Sequence, residues 1–215
     1  VPGDGRVIAP SNDAAIEEVL DQGCWTPIER FGLNVGDWQA RGISDDGSEF
    51  TLWRQETMVG QVTWAMLGMH NVNNALAACA AAHHVGVSDA QILAGLHAFT
   101  GVKRRMEVIA STKDTTFYDD FAHHPTAIAT TLQGLRARVG NARVRVMLQM
   151  GSRTMQQGVH VDRLADALSA ADEVWLLTSD EMQWDPSQLM VKMAGKLSTF
   201  DHVTKMVKAQ QTQPT

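Results

Sequence analysis

Between residues 105 and 200 the chain repeats one pattern, and this pattern restricts the fold more than any other feature of the sequence. Short apolar runs of strand length alternate with stretches whose apolar residues recur at helical spacing. Glu107–Ala110 and Thr115–Asp119 read as extended. Pro125 suits the first turn of a helix, where its missing N–H is not needed, and Ile128, Leu132, Leu135 and Val139 mark one face of that helix. Val144–Met150 is an apolar strand, and residues 161–171 form a helix with Leu164, Ala165 and Leu168 inward. Val174–Leu177 is a further strand, and Pro186 starts a helix carrying Leu189, Val191 and Met193. Strands alternating with helices predict an α/β fold with a parallel sheet and right-handed crossovers. The ending KAQQTQPT reads as a linker.

The residues before Gly101 follow a different plan. Arg6–Ala9 reads as a buried strand, and Ser11-Asn12-Asp13 caps a helix with Ile16, Val19 and Leu20 on one face. Residues 36–48 are polar and turn-rich, and Asp46-Gly47 signals a tight turn before a strand over Phe50–Arg54. A second extended stretch, Val59–Leu67, predicts an antiparallel hairpin or meander at a sheet edge. In GMHNVNNALAACAAAHHVGV, Leu76, Cys79, Ala80 and His83 recur at helical spacing within an alanine-rich segment. Asn71 or Asn73 is placed to cap this helix and Gly86 to end it. Ser88, with Gln91 three residues on, makes a capping-box pattern for another helix carrying Ile92, Leu93 and Leu96. The expected organisation is a partial α/β domain over residues 1–100, a hinge at residues 101–105, and a second α/β domain over residues 106–215.

Composition narrows the function classes. The net charge is -6 and no basic block occurs, which argues against nucleic-acid binding driven by phosphate neutralisation. Cys24 and Cys79 are isolated, so neither a disulfide framework nor a cysteine zinc site is expected, and a reducing cytoplasm fits. No apolar run has the length of a membrane span. The start, VPGDGRVIAP, lacks both an initiator Met and the features of a signal peptide. The expectation is a piece excised from a longer polypeptide.

Four clusters could carry chemistry. His70, Asn71, Asn73 and Asn74 gather at a helix start, where free N–H groups and partial positive charge favour acceptors. They could read a base edge or a ribose, or one Asn could simply cap the helix. Lys103, Arg104 and Arg105 lie at the proposed hinge. An Arg fork there could hold a phosphate or ribose, or the run could be a solvated charge cluster. Asp119, Asp120, His123 and His124 sit where a strand meets a helix, the edge at which parallel α/β sheets bind ligands. Ribose hydroxyls, a metal or a reacting phosphate are open readings, zinc being disfavoured by adjacent histidines without a suitably spaced third ligand. His124 could equally cap the helix. The stretch from Gln149 to Gly158, with Ser152, Arg153 and Thr154, lies at the same edge or is an ordinary glycine-containing loop.

Taken together, GCWTP at Gly23–Pro27, GMHNVNNALAA at Gly68–Ala78, GVKRRME at Gly101–Glu107 and DDFAHHPTAI at Asp119–Ile128 resemble the Mur ligase family. Their order and spacing match over almost the whole chain. The resemblance implies a three-domain, ATP-dependent enzyme of the cytoplasm. The chain would supply the end of the central ATP-binding domain and most of a Rossmann-like C-terminal domain. The motifs are most similar to those of members that join a murein tripeptide, L-Ala-γ-D-Glu-meso-diaminopimelate, to UDP-N-acetylmuramate in peptidoglycan recycling. Members that add free L-alanine are the alternative. In such ligases Asn74, beside His70 and Asn71, falls where an Asn reads the adenine. Arg105 falls where an Arg contacts the nucleotide across the hinge, and Asp120 where an Asp binds the ribose hydroxyls. His123 and His124 would lie beside the phosphates and the acyl centre, and Ser152, Arg153 and Thr154 would face the incoming peptide. The implied chemistry is phosphorylation of the muramyl carboxylate by ATP with Mg2+, then attack of the peptide amine on the acyl phosphate. One departure stands out. The family's proline and arginine after the Val144–Leu148 strand are replaced by Met150 and Gly151.

No G-x-x-x-x-G-K-[ST] loop occurs. Ala194-Gly195-Lys196-Leu197-Ser198 is a near miss within a helical pattern. The phosphate loop and the acidic Mg2+ ligands would therefore precede Val1, and this chain alone is expected not to turn over ATP. A non-catalytic nucleotide-binding or interaction module is the remaining alternative.

Overall fold

A computed structural model describes residues 3–212, which form two compact units divided between Gly101 and Val102. The first unit is built on a five-stranded sheet of order β1-β2-β3-β4-β5, comprising β1 (Val7–Pro10), β2 (Ile28–Leu33), β3 (Trp38–Arg41), β4 (Glu49–Arg54) and β5 (Thr57–Thr63). β1, β2 and β3 are parallel, and β4 and β5 return antiparallel with β5 at the edge. The hairpin expected at a sheet edge is present.

Helix α1 (Ala14–Asp21) links β1 to β2, and Asp13 caps it by accepting from the N–H groups of Ala15 and Ile16 at 3.1 Å. Its expected apolar face is not buried: Val19 is 64% exposed. The helix is instead tethered by Glu17, whose carboxylate grips the Arg30 guanidinium on β2. Helix α2 (Met69–His84) packs Val72, Leu76, Cys79 and Ala80 against Trp38, Phe50, Leu52 and Val62. Helix α3 (Asp89–Ala98) opens with the predicted capping box, in which the Gln91 carboxamide oxygen accepts from Ser88 N–H at 3.1 Å. Residues 36–48 correct the sequence reading. They contain β3, whose Trp38 and Ala40 are fully buried. Buried Gln39 disguises the strand as polar, yet its amide is satisfied by the Gly36 carbonyl at 2.6 Å and by Arg41 Nε at 2.8 Å.

The second unit holds two separate sheets. β6 (Glu107–Ser111) and β7 (Thr116–Asp119) form an antiparallel ribbon. The short connection between them allows a hairpin but no parallel crossover, and neither strand pairs with the parallel sheet. The parallel sheet has order β10-β9-β8, built from β8 (Arg145–Gln149), β9 (Glu173–Leu177) and β10 (Leu197–Phe200). Helices α4 (Pro125–Val139), α6 (Val161–Ala167) and α7 (Ser187–Lys192) bring Ile128, Leu132, Leu164 and Leu189 onto Val144, Leu148, Val174 and Leu176. A one-turn helix, α5 (Arg153–Gln156), precedes α6. Val191 is 82% exposed and so does not belong to the α7 core face.

Two further expectations fail here. Leu197 and Ser198 lie in β10, so the Ala194–Ser198 stretch is a turn and strand rather than part of a helix. Residues 203–212 form helix α8 (Val203–Thr212), so the expected linker is helical as far as Thr212, and residues 213–215 lie outside the described part. Buried Met206 and an Arg145 Nη1 bond to Gln210 Oε1 anchor that polar helix.

Candidate functional site

The candidate side chains gather at the start of α2 in the first unit and, in the second, between β7 and α4 and at the α5 turn. Gly68 is the N-cap residue of α2, with φ 88 and ψ 147, and among the described residues no side chain caps the helix. The first-turn N–H groups therefore keep their partial positive charge. The expectation that Asn71 or Asn73 caps this helix is corrected. Both lie inside it, and Asn71 Nδ2 donates to the Leu67 carbonyl at 2.8 Å. The turn ahead of the helix is held tightly. Gly68 N–H donates to the Asp46 carbonyl at 2.6 Å, and Trp64 Nε1 donates to the Gly47 carbonyl at 2.8 Å. A Cβ on Gly47, whose φ is 77, would lie 3.1 Å from the Gly68 backbone, so only glycine fits there without a shift. On this platform His70 is half-buried and Asn74 is exposed.

The second group gathers at the carboxyl end of β7 and the start of α4. Arg104 and Met106 take φ values of 60 and 50, a left-handed conformation unfavourable to residues with a Cβ. Backbone bonds hold them there: Arg104 N–H to Glu107 Oε2 at 2.9 Å, Met106 N–H to Asp120 Oδ2 at 2.9 Å, and Phe121 N–H to the Arg104 carbonyl at 2.8 Å. The Arg104 side chain is engaged as well, with Nε 3.3 Å from Asp119 Oδ2 and the guanidinium 4.9 Å from the Phe121 ring centre. Arg105 is exposed, and its side chain has no partner among the described residues. The predicted cationic run thus separates into a structural Arg104 and an Arg105 offered to solvent or ligand.

Asp120 is doubly used. Its Oδ2 accepts from Met106 N–H, and its Oδ1 accepts from Ala122 N–H at 2.7 Å. Each carboxylate oxygen retains further acceptor capacity, so ribose hydroxyls could still be received. His123 is exposed and holds Nδ1 2.8 Å from the Phe121 carbonyl. That contact makes Nδ1 the donor and leaves Nε2 as the outward acceptor in the neutral ring.

His124 is the N-cap of α4. Its Nδ1 accepts from Thr126 N–H at 3.3 Å, and Pro125 occupies the first helical turn. The ring meets His160 edge-on at 4.6 Å between centres. The pKa of His124 is held below its ordinary 6.5, first by loss of solvent contact and then by the charges of His160, Arg163 and His123. The accepting Nδ1 agrees with a neutral ring. His160 and Arg163, at the start of α6, escaped the sequence reading. No motif marks them, and only the fold brings them to His124.

Ser152, Arg153 and Thr154 lie at the α5 turn. Ser152 Oγ accepts from Met155 N–H at 3.4 Å and sits 3.3 Å from Thr154 Oγ1. Arg153 and Thr154 are exposed. The segment is firmly anchored. Trp184 Nε1 donates to the Met155 carbonyl at 2.9 Å, and a Cβ on Gly158 would approach the Trp184 ring to 3.0 Å. Met150, directly after β8, is a core residue at 3% exposure. Among the described residues no group of three or more His, Cys, Asp or Glu side chains is placed to hold a metal ion.

Residues 104–214 match the family described as "Mur ligase, glutamate ligase domain". The chain belongs to the Mur ligase family. Its similarity to individual Mur ligases extends into the first unit. It is 42% identical over 190 residues to the UDP-N-acetylmuramate–L-alanyl-γ-D-glutamyl-meso-2,6-diaminoheptandioate ligase of Escherichia coli K12, covering 88% of this chain and 41% of that protein. It is 37% identical over 219 residues to the ligase of the same name from Haemophilus influenzae, covering 100% of this chain and 48% of the relative. The crystal structure of a murein peptide ligase from Psychrobacter arcticus 273-4 superposes with a TM-score of 0.72 at 37% identity, covering 100% of this chain and 47% of that one. The chain thus spans less than half the length of these Mur ligases.

Proposed function

We propose that this chain is part of a cytoplasmic, ATP-dependent Mur ligase that joins the murein tripeptide L-Ala-γ-D-Glu-meso-diaminopimelate to UDP-N-acetylmuramate. The first unit is the end of the ATP-binding domain and the second is the peptide-receiving domain. The observation that carries this reading is the likeness to the Psychrobacter arcticus murein peptide ligase along the entire chain.

The residues fit a nucleotide in kind. Asn74 stands exposed in the second turn of α2, where its carboxamide can both donate to and accept from a base edge such as that of adenine. Arg105 offers a guanidinium, and Asp120 offers spare carboxylate lone pairs for the ribose hydroxyls. Asn71 braces the helix start through its bond to the Leu67 carbonyl, and it and His70 in the first turn would border the nucleotide beside Asn74. Bound ATP with Mg2+ would supply the phosphoryl group that activates the muramyl carboxylate. Exposed His123, with Nε2 outward, and His124, kept neutral, would receive or hold a proton near the reacting amine. Ser152, Arg153 and Thr154 would contact the peptide through hydroxyl and guanidinium groups.

The test is turnover by the full-length protein. With ATP and UDP-N-acetylmuramate, phosphate release is expected when the tripeptide is supplied and not with free L-alanine. Turnover with L-alanine alone would move the assignment to the alanine-adding ligases. The 215-residue chain by itself is expected to release no ADP, since its sequence holds no phosphate-gripping loop.

A further inference from the structure

His123 and His124 are adjacent in sequence, yet their imidazoles are fixed in opposite senses. The carbonyl of Phe121 can only accept, so His123 Nδ1, 2.8 Å away, carries the proton of the neutral ring and Nε2 is the bare acceptor. The N–H of Thr126 can only donate, so His124 Nδ1, 3.3 Å away, is bare and the proton sits on Nε2. The pair therefore offers one acceptor and one donor. What holds His124 to its half comes from another element. His160 occupies the N-cap place of α6, but its side chain makes no capping bond. Its half-buried ring is set edge-on against His124 instead, with 4.6 Å between centres and the planes at 70°. Such a contact fixes a ring's orientation as well as its position. Charge acts in the same direction. Arg163 stands one turn along α6, and neither Asp162, paired with Lys192 at 3.2 Å, nor Asp166 bridges it. Asp119 and Asp120 are engaged by Arg104 and by backbone N–H groups. Loss of solvent contact, then the like charges of His160, Arg163 and His123, disfavour the protonation of His124 that would break its cap.

We propose that His160 is a positioning residue, one that sets His124 as an Nε2–H donor beside the acceptor Nε2 of His123. The use of this pair rests on the ligation proposed above. There the acceptor takes the proton released as the peptide amine bonds to the acyl carbon. The donor holds the acyl oxygen, where negative charge grows before the bond to the leaving phosphate breaks. His160 itself touches neither reactant and acts through the ring of His124.

Nitrogen NMR of the imidazoles in the 215-residue chain reads tautomer and titration together. His202 is the internal control, because its Nδ1 accepts from Thr204 N–H at 3.1 Å without an aromatic ring against it among the described residues. In the wild type, His124 and His202 are expected as Nε2–H tautomers and His123 as Nδ1–H. His160→Ala should mix the tautomers of His124 and raise its titration midpoint, leaving the His202 tautomer unchanged. His160→Phe keeps a ring and should keep the tautomer, while the midpoint still rises because a like charge is gone. Arg163→Gln, at an exposed position, should raise the midpoint alone. If His160→Ala melts early, the midpoints in His160→Phe and Arg163→Gln decide. In the full-length protein with ATP, UDP-N-acetylmuramate and tripeptide, His160→Ala should lower kcat about tenfold to a hundredfold with KM held, the scale of a misplaced reacting group. His160→Phe should recover most of that loss. An Nδ1–H tautomer at His124, a tautomer and midpoint untouched by His160→Ala, or a kcat untouched by it would each overturn the proposal. No tripeptide-dependent turnover in the wild type would instead sink the ligase function, and the NMR results would then decide the role of His160.

Discussion

Asp120 illustrates how one residue can hold a fold together and still face a ligand. Its carboxylate takes two backbone N–H groups, so Asp120→Ala is expected to destabilise the second unit by about 1–2 kcal/mol, the loss of two hydrogen bonds to partly buried donors. Urea denaturation would measure that loss, and calorimetry with ADP would separately measure the loss of affinity. Equal ADP affinity in wild type and Asp120→Ala would remove the residue from the nucleotide site. His124 makes a pH-dependent contribution. Its pKa in the fold is depressed, so the cap is intact above the ordinary 6.5 and is lost as pH falls through the lower folded value. Thermal melts of the chain between neutral and mildly acidic pH should therefore show a decline that is smaller in His124→Asn, since Asn caps without titrating. An identical decline in both proteins would mean that other groups set it. Sequence alone named Asp120 and His124 but not His160 or Arg163. Contiguous motifs are readable, whereas neighbours recruited through the fold are not.

Among the elements, α2 was the most legible and β3 the least. Leu76, Cys79 and Ala80 announce a helix by spacing, and they are indeed buried. β3 carries Gln39 and Arg41, which read as loop residues until their mutual bond is seen. The start of α2 was misread for a related reason. Asparagines at a helix start suggest caps, but Gly68 takes that place and leaves Asn74 projecting outward. This arrangement separates two effects. Asn74→Ala is expected to leave stability within about 0.5 kcal/mol, as for other exposed positions, while weakening ADP binding. Gly47→Ala should destabilise the first unit by about 1–3 kcal/mol, because its new Cβ meets the Gly68 backbone at 3.1 Å and its φ of 77 is left-handed. Denaturant midpoints of the two variants would show the contrast. A Gly47→Ala protein as stable as wild type would indicate that the turn relaxes.

At the scale of the molecule, each unit has a core of its own, one centred on Trp38, Leu52 and Leu76 and the other on Leu164, Leu176 and Leu189. Residues 1–101 and 102–215, expressed separately, are expected to give cooperative melts, which circular dichroism would register. A broad, non-cooperative profile for either would show that its core is insufficient alone. The alternation of apolar runs and helical spacing made the α/β class readable, and both segments read as extended, β6 and β7, are strands, but nothing in their sequence told that they pair only with each other. Their ribbon has a consequence for handling the protein. All five residues of β6 are exposed, among them Val108 and Ile109, and a two-stranded ribbon leaves hydrogen-bonding edges open. Such an edge is a template for intermolecular strand pairing, restrained here by Glu107 at one end and by Lys113 and Asp114 in the tip. Neutralising those charges would turn a surface ribbon into a nucleus for aggregation.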